Sequence, residues 1–106
     1  MTKNAILAAC KLACRISGNF LDEEISDLID AAFYDLEISG VATVDGTPYS
    51  ATTADQLVIT AVKTYVKCHL GDLVDAAMLD KLFLSYDNQK AQLKMRVHSS
   101  YGGDES

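Results

Sequence analysis

The chain has 106 residues, one proline, 49% hydrophobic and 23% charged residues, the composition of one globular domain rather than of a disordered chain. Nine basic against fifteen acidic residues leave a formal charge of −6, which disfavours nucleic-acid binding driven by phosphate contacts. The apolar stretch 5–14 is interrupted by Lys11 and falls far short of the roughly 18 residues a membrane-spanning helix needs.

Near the start, Leu7-Ala8-Ala9-Cys10 is similar to a lipoprotein cleavage box, but only Asn4, Ala5 and Ile6 separate it from Lys3, too few for a signal's apolar core. The same residues predict an amphipathic helix over about 4–16, stopped by Gly18 in a left-handed cap, in a cytosolic protein with reduced cysteines. A second helix is expected from Asp22 as N-cap to Ser39-Gly40, with Glu23 and Glu24 in its first turn and Ile25, Leu28, Ile29, Ala32 and Leu36 at the spacing of one buried stripe. The third follows Thr52-Thr53 and runs to about His69, with Gly71 as its stop. Its inward stripe is Val58, Ala61, Val62, Tyr65 and His69, and Gln56, Thr60, Lys63 and Lys67 face water. The fourth opens near Asp75 and runs to about Val97, with Leu79, Leu82, Phe83, Tyr86, Leu93 and Val97 inward. The fold class is all-α, a four-helix single domain over 1–98 with a flexible polar tail over 99–106.

Between the second and third helices, residues 41–52 lack a helical period, a long connection that suits a binding or mobile loop. Asp45-Gly46 carries a tight-hairpin signal and Pro48 confines any return strand to an edge; an irregular loop is the first expectation and a short hairpin the second. Loop and tail hold too few apolar residues to pack alone and are expected to order only on assembly.

Charge is unevenly placed. Residues 1–21 hold Lys3, Lys11 and Arg15 with no acid, whereas 22–55 hold nine acids and no base. Glu23, Asp27, Asp30 and Glu37 share the helix face opposite the apolar stripe, with Tyr34 among them. An acidic face and a basic face (Lys11 with Arg15) on one chain suit a head-to-tail contact, which builds rings or filaments. On the fourth helix, Ala77, Leu84, Ala91 and Met95 add a second apolar row, so this helix is expected to pack on a partner as well as on its own core. The candidate subunit interface is therefore Lys11, Arg15, Glu23, Asp27, Asp30, Glu37, Leu84 and Met95.

No catalytic constellation emerges. Ser85, Tyr86 and Asp87 are adjacent on a helix and diverge, and His69 beside Tyr65 suits a core histidine. Cys10 and Cys14 could share an ion with Cys68 or His69, but their spacing is not that of a zinc loop and the remaining candidate ligand is His98 in the tail; packing is the expected role, with no metal and no cofactor. The competing class is a small helix-turn-helix DNA regulator reading through Gln56, Thr60, Lys63 and Lys67.

The order of motifs is familiar. The run 9–16 (ACKLACRI) leads into Asp22-Glu23-Glu24-Ile25, Leu28-Ile29-Asp30-Ala31-Ala32 and Ser39-Gly40-Val41. Downstream stand Ala61-Val62-Lys63-Thr64-Tyr65, His69-Leu70-Gly71-Asp72 and Ser85-Tyr86-Asp87-Asn88-Gln89. Over about residues 8–95 the chain resembles the small head–tail connector (adaptor) proteins of tailed phages and prophages. It departs from them in the 41–52 loop, where Asp55-Gln56-Leu57 replaces an Asp-Pro-Leu helix start. The resemblance implies a structural virion protein, not an enzyme, forming a ring, typically dodecameric, under the portal. Its partners would be further copies of itself, the portal, and a tail or head-completion protein. DNA would pass through the channel without specific binding, no membrane would be involved, and the protein would lie at the head–tail junction after assembly in the host cytoplasm.

Overall fold

A computed structural model describes residues 2–43, 45–70 and 76–105 of the chain, with 96–105 described by backbone only. Four helices, α1 (Lys3–Ala13), α2 (Asp22–Ile38), α3 (Gln56–His69) and α4 (Ala76–Glu105), make an all-α domain. Gly71, Asp75 and the side chains of Val97 and His98, all assigned places from sequence, lie outside what is described.

Thr2 caps α1 by accepting the Ala5 N–H on its hydroxyl at 3.2 Å, and Ile6 and Cys10, four apart, are fully buried. The helix stops before the expected position. Arg15, not Gly18, takes the left-handed residue of the cap at φ 57°, with Ile16 N–H donating to Lys11 O at 2.9 Å and Arg15 N–H to Leu12 O at 3.1 Å. Gly18 is also left-handed (φ 82°), but it lies in the connection beyond the cap. A side chain in that conformation costs about 1 kcal/mol that glycine avoids. Arg15→Gly should therefore stabilise the monomer by up to about 1 kcal/mol, seen as a rise of several degrees in Tm.

In α2, Asp22 is the first helical residue rather than the cap; the cap is Leu21, with no side-chain bond. Asp22 instead reaches Lys11, whose Nζ lies 2.8 Å from Oδ1, while Lys3 Nζ lies 2.9 Å from Asp30 Oδ2. These two pairs show that α1 and α2 run antiparallel as a helical hairpin. Ile25, Ile29, Ala32 and Leu36 are buried as the periodicity predicts. Gly40 (φ 93°) ends the helix, with Val41 N–H donating to Leu36 O at 2.9 Å and the Val41 side chain entering the core.

No strand forms among the described loop residues. A turn closed by Thr43 N–H to Thr47 O at 2.9 Å carries a side-chain knot in which the Thr43 and Thr47 hydroxyls donate to Asp45. These bonds hold the Asp45 carboxyl below its ordinary pKa. Contrary to the expectation of too little apolar surface, Val41 is buried, and Tyr49, Ala51 and Ala54 rest against the core.

The central element is α3, which touches each of the other three helices. Asp55 caps it, accepting from Leu57 and Val58 N–H at 3.1 Å. Its buried residues (Val58, Ile59, Ala61, Val62, Thr64, Val66, Cys68) go nearly all round, where one stripe was expected. The Thr64 hydroxyl donates to Thr60 O at 3.0 Å, so its burial leaves no donor unpaired. His69, predicted inward, is exposed at the rim, stacked on Tyr65 at 4.1 Å and edge-on to Phe83 at 5.6 Å.

The thirty residues of α4 make a rod about 45 Å long, the long axis of the molecule. Tyr86 and Leu93 are buried, Leu79 and Leu82 half-buried, and Phe83 lies at the edge of exposure. No helix end falls at the expected 98/99 boundary; the helix runs on through Glu105.

Candidate functional site

The most prominent feature of the described residues is exposed apolar surface. Nine large apolar side chains stand exposed, among them Leu12, Phe20, Tyr34, Ile38, Leu84 and Met95. That is a heavy load for a domain whose core is itself small.

The outer row of α4 is the clearest case. At 100° per residue, Leu84, Ala91 and Met95 point opposite to Leu93 and the buried side of the helix. Leu84 is 62% and Met95 67% exposed, and Ala77 and Ala91 are exposed with them. Leu84 and Met95 thus form one strip that the described residues leave uncovered.

The acidic face of α2 is solvent-facing as expected. Glu23, Asp27 and Glu37 are exposed and have no ion-pair partner among the described residues, whereas Asp30 holds Lys3. Tyr34 and Ile38 stand on the same face, so it mixes carboxylates with apolar bulk. Ile38 was missed from sequence, although its placement eleven residues after Asp27 puts it on that face.

The basic patch is divided. Lys11 is half-buried and bound to Asp22 of its own chain, while Arg15 is exposed at the corner joining α1 to α2. Leu12 (81% exposed) and Phe20 (80%) flank it in sequence, and neither was singled out beforehand. The available signal was that Leu12 falls on the side of α1 away from Ile6 and Cys10, and that Phe20 lies in a short connection with no stripe to join.

A cleft of about 300 Å³ opens between α2 and the segment before α3, lined by Ile29, Phe33, Tyr49 and Ala51, with Lys3, Asp30 and Ser50 at its polar side.

Electrostatics argue against thiol chemistry. Burial pushes the Cys10 thiol up to about 12, with Cys14 adding to the rise, and burial also raises Cys14 and Cys68. Such thiols stay protonated at neutral pH and make poor nucleophiles or metal ligands. Among the described residues no three His, Cys, Asp or Glu side chains gather as a metal site, and no helix is long and apolar enough to cross a membrane. The helix-turn-helix alternative meets a geometric objection: α3 is packed on the other three helices, and of its proposed reading residues only Gln56 is exposed, with Thr60, Lys63 and Lys67 half-buried.

Among the curated proteins and the solved structures, none matches the chain significantly. The family described as Phage connector protein matches residues 6–104, which takes in all of α2 and α3, nearly all of α4 and most of α1. With a four-helix fold, apolar strips left uncovered and a match across almost its whole length, the chain belongs to the phage connector protein family.

Proposed function

We propose that this structural connector works as a ring subunit at the head–tail junction, docked under the portal and extending the DNA channel toward the tail. The observation that carries the proposal is the strip on α4 formed by Leu84 and Met95, exposed on the side of the helix away from the core. A helix with two apolar sides needs two partners, and one chain supplies one. The charge pattern supplies direction. Among the described residues, Glu23, Asp27 and Glu37 lack ion-pair partners in their own chain, and so does Arg15 at another site. Two different patches meeting head to tail generate rings, or open filaments where the rotation does not close, rather than closed dimers. Lys11 and Asp30, already paired internally, would have to exchange partners to join that contact, so they contribute less than Arg15 and Asp27.

The formal charge of −6 suits a conduit that lets DNA pass without gripping it. Its partners on this reading are further copies of itself, the portal on the head side and a tail or head-completion protein on the other, within the virion and, before that, the host cytoplasm. No cofactor or metal enters the role.

Size-exclusion chromatography with light scattering, followed by electron microscopy of the large species, tests the proposal. Annular particles of uniform mass, formed alone or on addition of the portal, are expected. A chain that stays monomeric at high concentration and with portal present overturns it. Salt should weaken assembly only modestly, because exposed ion pairs are worth about 0–1 kcal/mol each and mainly set orientation and rate.

A further inference from the structure

We infer that Phe20 of one subunit seats in the cleft between α2 and the segment before α3 of the next, with Arg15 of the first subunit set against Asp27 of the second. The inference rests on the ring reading and names the surfaces that meet.

The knob comes first. Phe20 is 80% exposed in the short connection between α1 and α2, and it touches no aromatic partner among the described residues. Five residues before it, Arg15 holds a left-handed backbone conformation that glycine would occupy without strain. Strain of this kind persists where the side chain has a task. It leaves an exposed cation in the same short connection as the exposed ring.

The socket lies on the same molecule at the other end of the α1–α2 hairpin. The Lys11–Asp22 pair marks the closed end, near Phe20, and the Lys3–Asp30 pair marks the open end, at the cleft. Eight residues of helix put these pairs about 12 Å apart along α2. At about 300 Å³ the cleft sits at the floor of the range for small-molecule sites, and its Ile29, Phe33, Tyr49 and Ala51 walls suit one aromatic side chain. Within the cleft's rim, Asp30 is neutralised by Lys3. Asp27, one turn earlier, is exposed and unpaired among the described residues. An exposed ring and an exposed cation from one connection therefore meet an apolar hole and, one turn along α2 from its Asp30, the exposed carboxylate of Asp27. Knob and socket sit on different ends of one hairpin, so the contact is heterologous and propagates from copy to copy.

The chain contains no tryptophan, so Phe20→Trp introduces a unique reporter. Its emission should be that of a wet indole in the monomer and shift to the blue on assembly. Phe20→Asp should raise the concentration needed for assembly at least tenfold while leaving monomer helicity and Tm unchanged, since the ring is exposed in the monomer. Arg15→Gly should weaken assembly even as it stabilises the monomer, a pair of opposite signs that simple relief of strain does not produce. In a Cys14→Ala background, the double variant Phe20→Cys, Ala51→Cys should give a ladder of covalent multimers on oxidation of assembled protein, and none at dilutions where it is monomeric. If annular particles form but Phe20→Asp assembles normally, the indole emission of Phe20→Trp stays red and no ladder appears, the knob and socket are wrong and the ring reading stands. If nothing assembles, with portal present, both fall.

Discussion

Asp35→Ala should destabilise the subunit by about 2–3 kcal/mol, more than any other single surface-reaching polar substitution in the described chain. Asp35 is the acceptor on which α2 and α4 are clasped. Its Oδ2 takes the Tyr86 hydroxyl at 2.6 Å and Lys90 Nζ at 3.1 Å, and Lys90 also reaches Ser39 Oγ at 3.4 Å and lies 4.9 Å above the Tyr86 ring. Removing the carboxylate leaves a buried phenol and a half-buried ammonium without their acceptor, which costs more than the net worth of the bonds themselves. The Lys90 and Asp35 side chains keep 21% and 28% exposure, so water recovers part of the loss and the figure stays below that of a fully buried pair. Tyr86→Phe removes one donor and leaves the ion pair, so about 1 kcal/mol is expected. Urea titration should show a lower midpoint with unchanged slope in both variants. The same tyrosine predicts an alkaline limb. Burial first, then the hydrogen bond and charge of Asp35, raise the Tyr86 pKa above its ordinary 10.0, and burial raises Cys10 from 9.0 to about 12. Both groups are neutral and stabilising below those ordinary values. The unfolded chain then loses these protons first, so stability falls as pH rises from about 9, by at most about 1.4 kcal/mol per pH unit for each group. Tyr86→Phe should flatten that limb. A flat profile to about pH 11 in the parent protein would contradict the burial of both groups.

How much of this was legible beforehand varies with the kind of signal. The α2 stripe was fully legible because Ile25, Ile29, Ala32 and Leu36 sit at 3–4 spacing against a face of carboxylates, the pattern of a helix with one wet side. The centre of the fold was not. In α3, Ile59, Val66 and Cys68 are buried outside the expected stripe, because a helix with neighbours on three sides has no single inward face for periodicity to find. Helix ends were legible where the usual residue stands at the cap, as at Gly40, and hidden where Arg15 takes a position that ordinarily signals glycine. The polar tail 99–106 was expected to be flexible, yet the α4 backbone continues through it to Glu105. Of the features on which the proposed assembly rests, charge segregation and the α4 row were visible in one dimension. Phe20 and its cleft were not, because the cleft joins Ile29 and Phe33 to Tyr49 and Ala51 across a loop with no pattern.

Leu84→Asp should abolish assembly, a loss of at least a hundredfold in the association constant, while leaving the monomer fold intact. The outer strip of α4 has Leu84 62% exposed and Met95 67% exposed, so neither supports the subunit core and a polar replacement costs the monomer little. In an assembled contact the same position would be desolvated, and an unpaired carboxylate buried there costs several kcal/mol beyond the lost apolar area. Met95→Ala keeps the surface apolar and removes only part of the contact, so a loss of roughly tenfold is expected. Asp27→Ala should weaken assembly by less than Leu84→Asp, since one exposed ion pair contributes about 0–1 kcal/mol. Charge reversal of Arg15, which has no ion-pair partner in its own chain among the described residues, should weaken assembly severalfold, and reversal of Asp27 in the same chain should restore part of it if those faces meet. Light scattering across a concentration series, with circular dichroism of each variant, separates the outcomes. Equal losses for Leu84→Asp and Asp27→Ala would make the contact electrostatic, and its steep weakening with salt would then follow. Normal assembly of Leu84→Asp would place the α4 strip outside the ring and toward another partner, the portal or the tail.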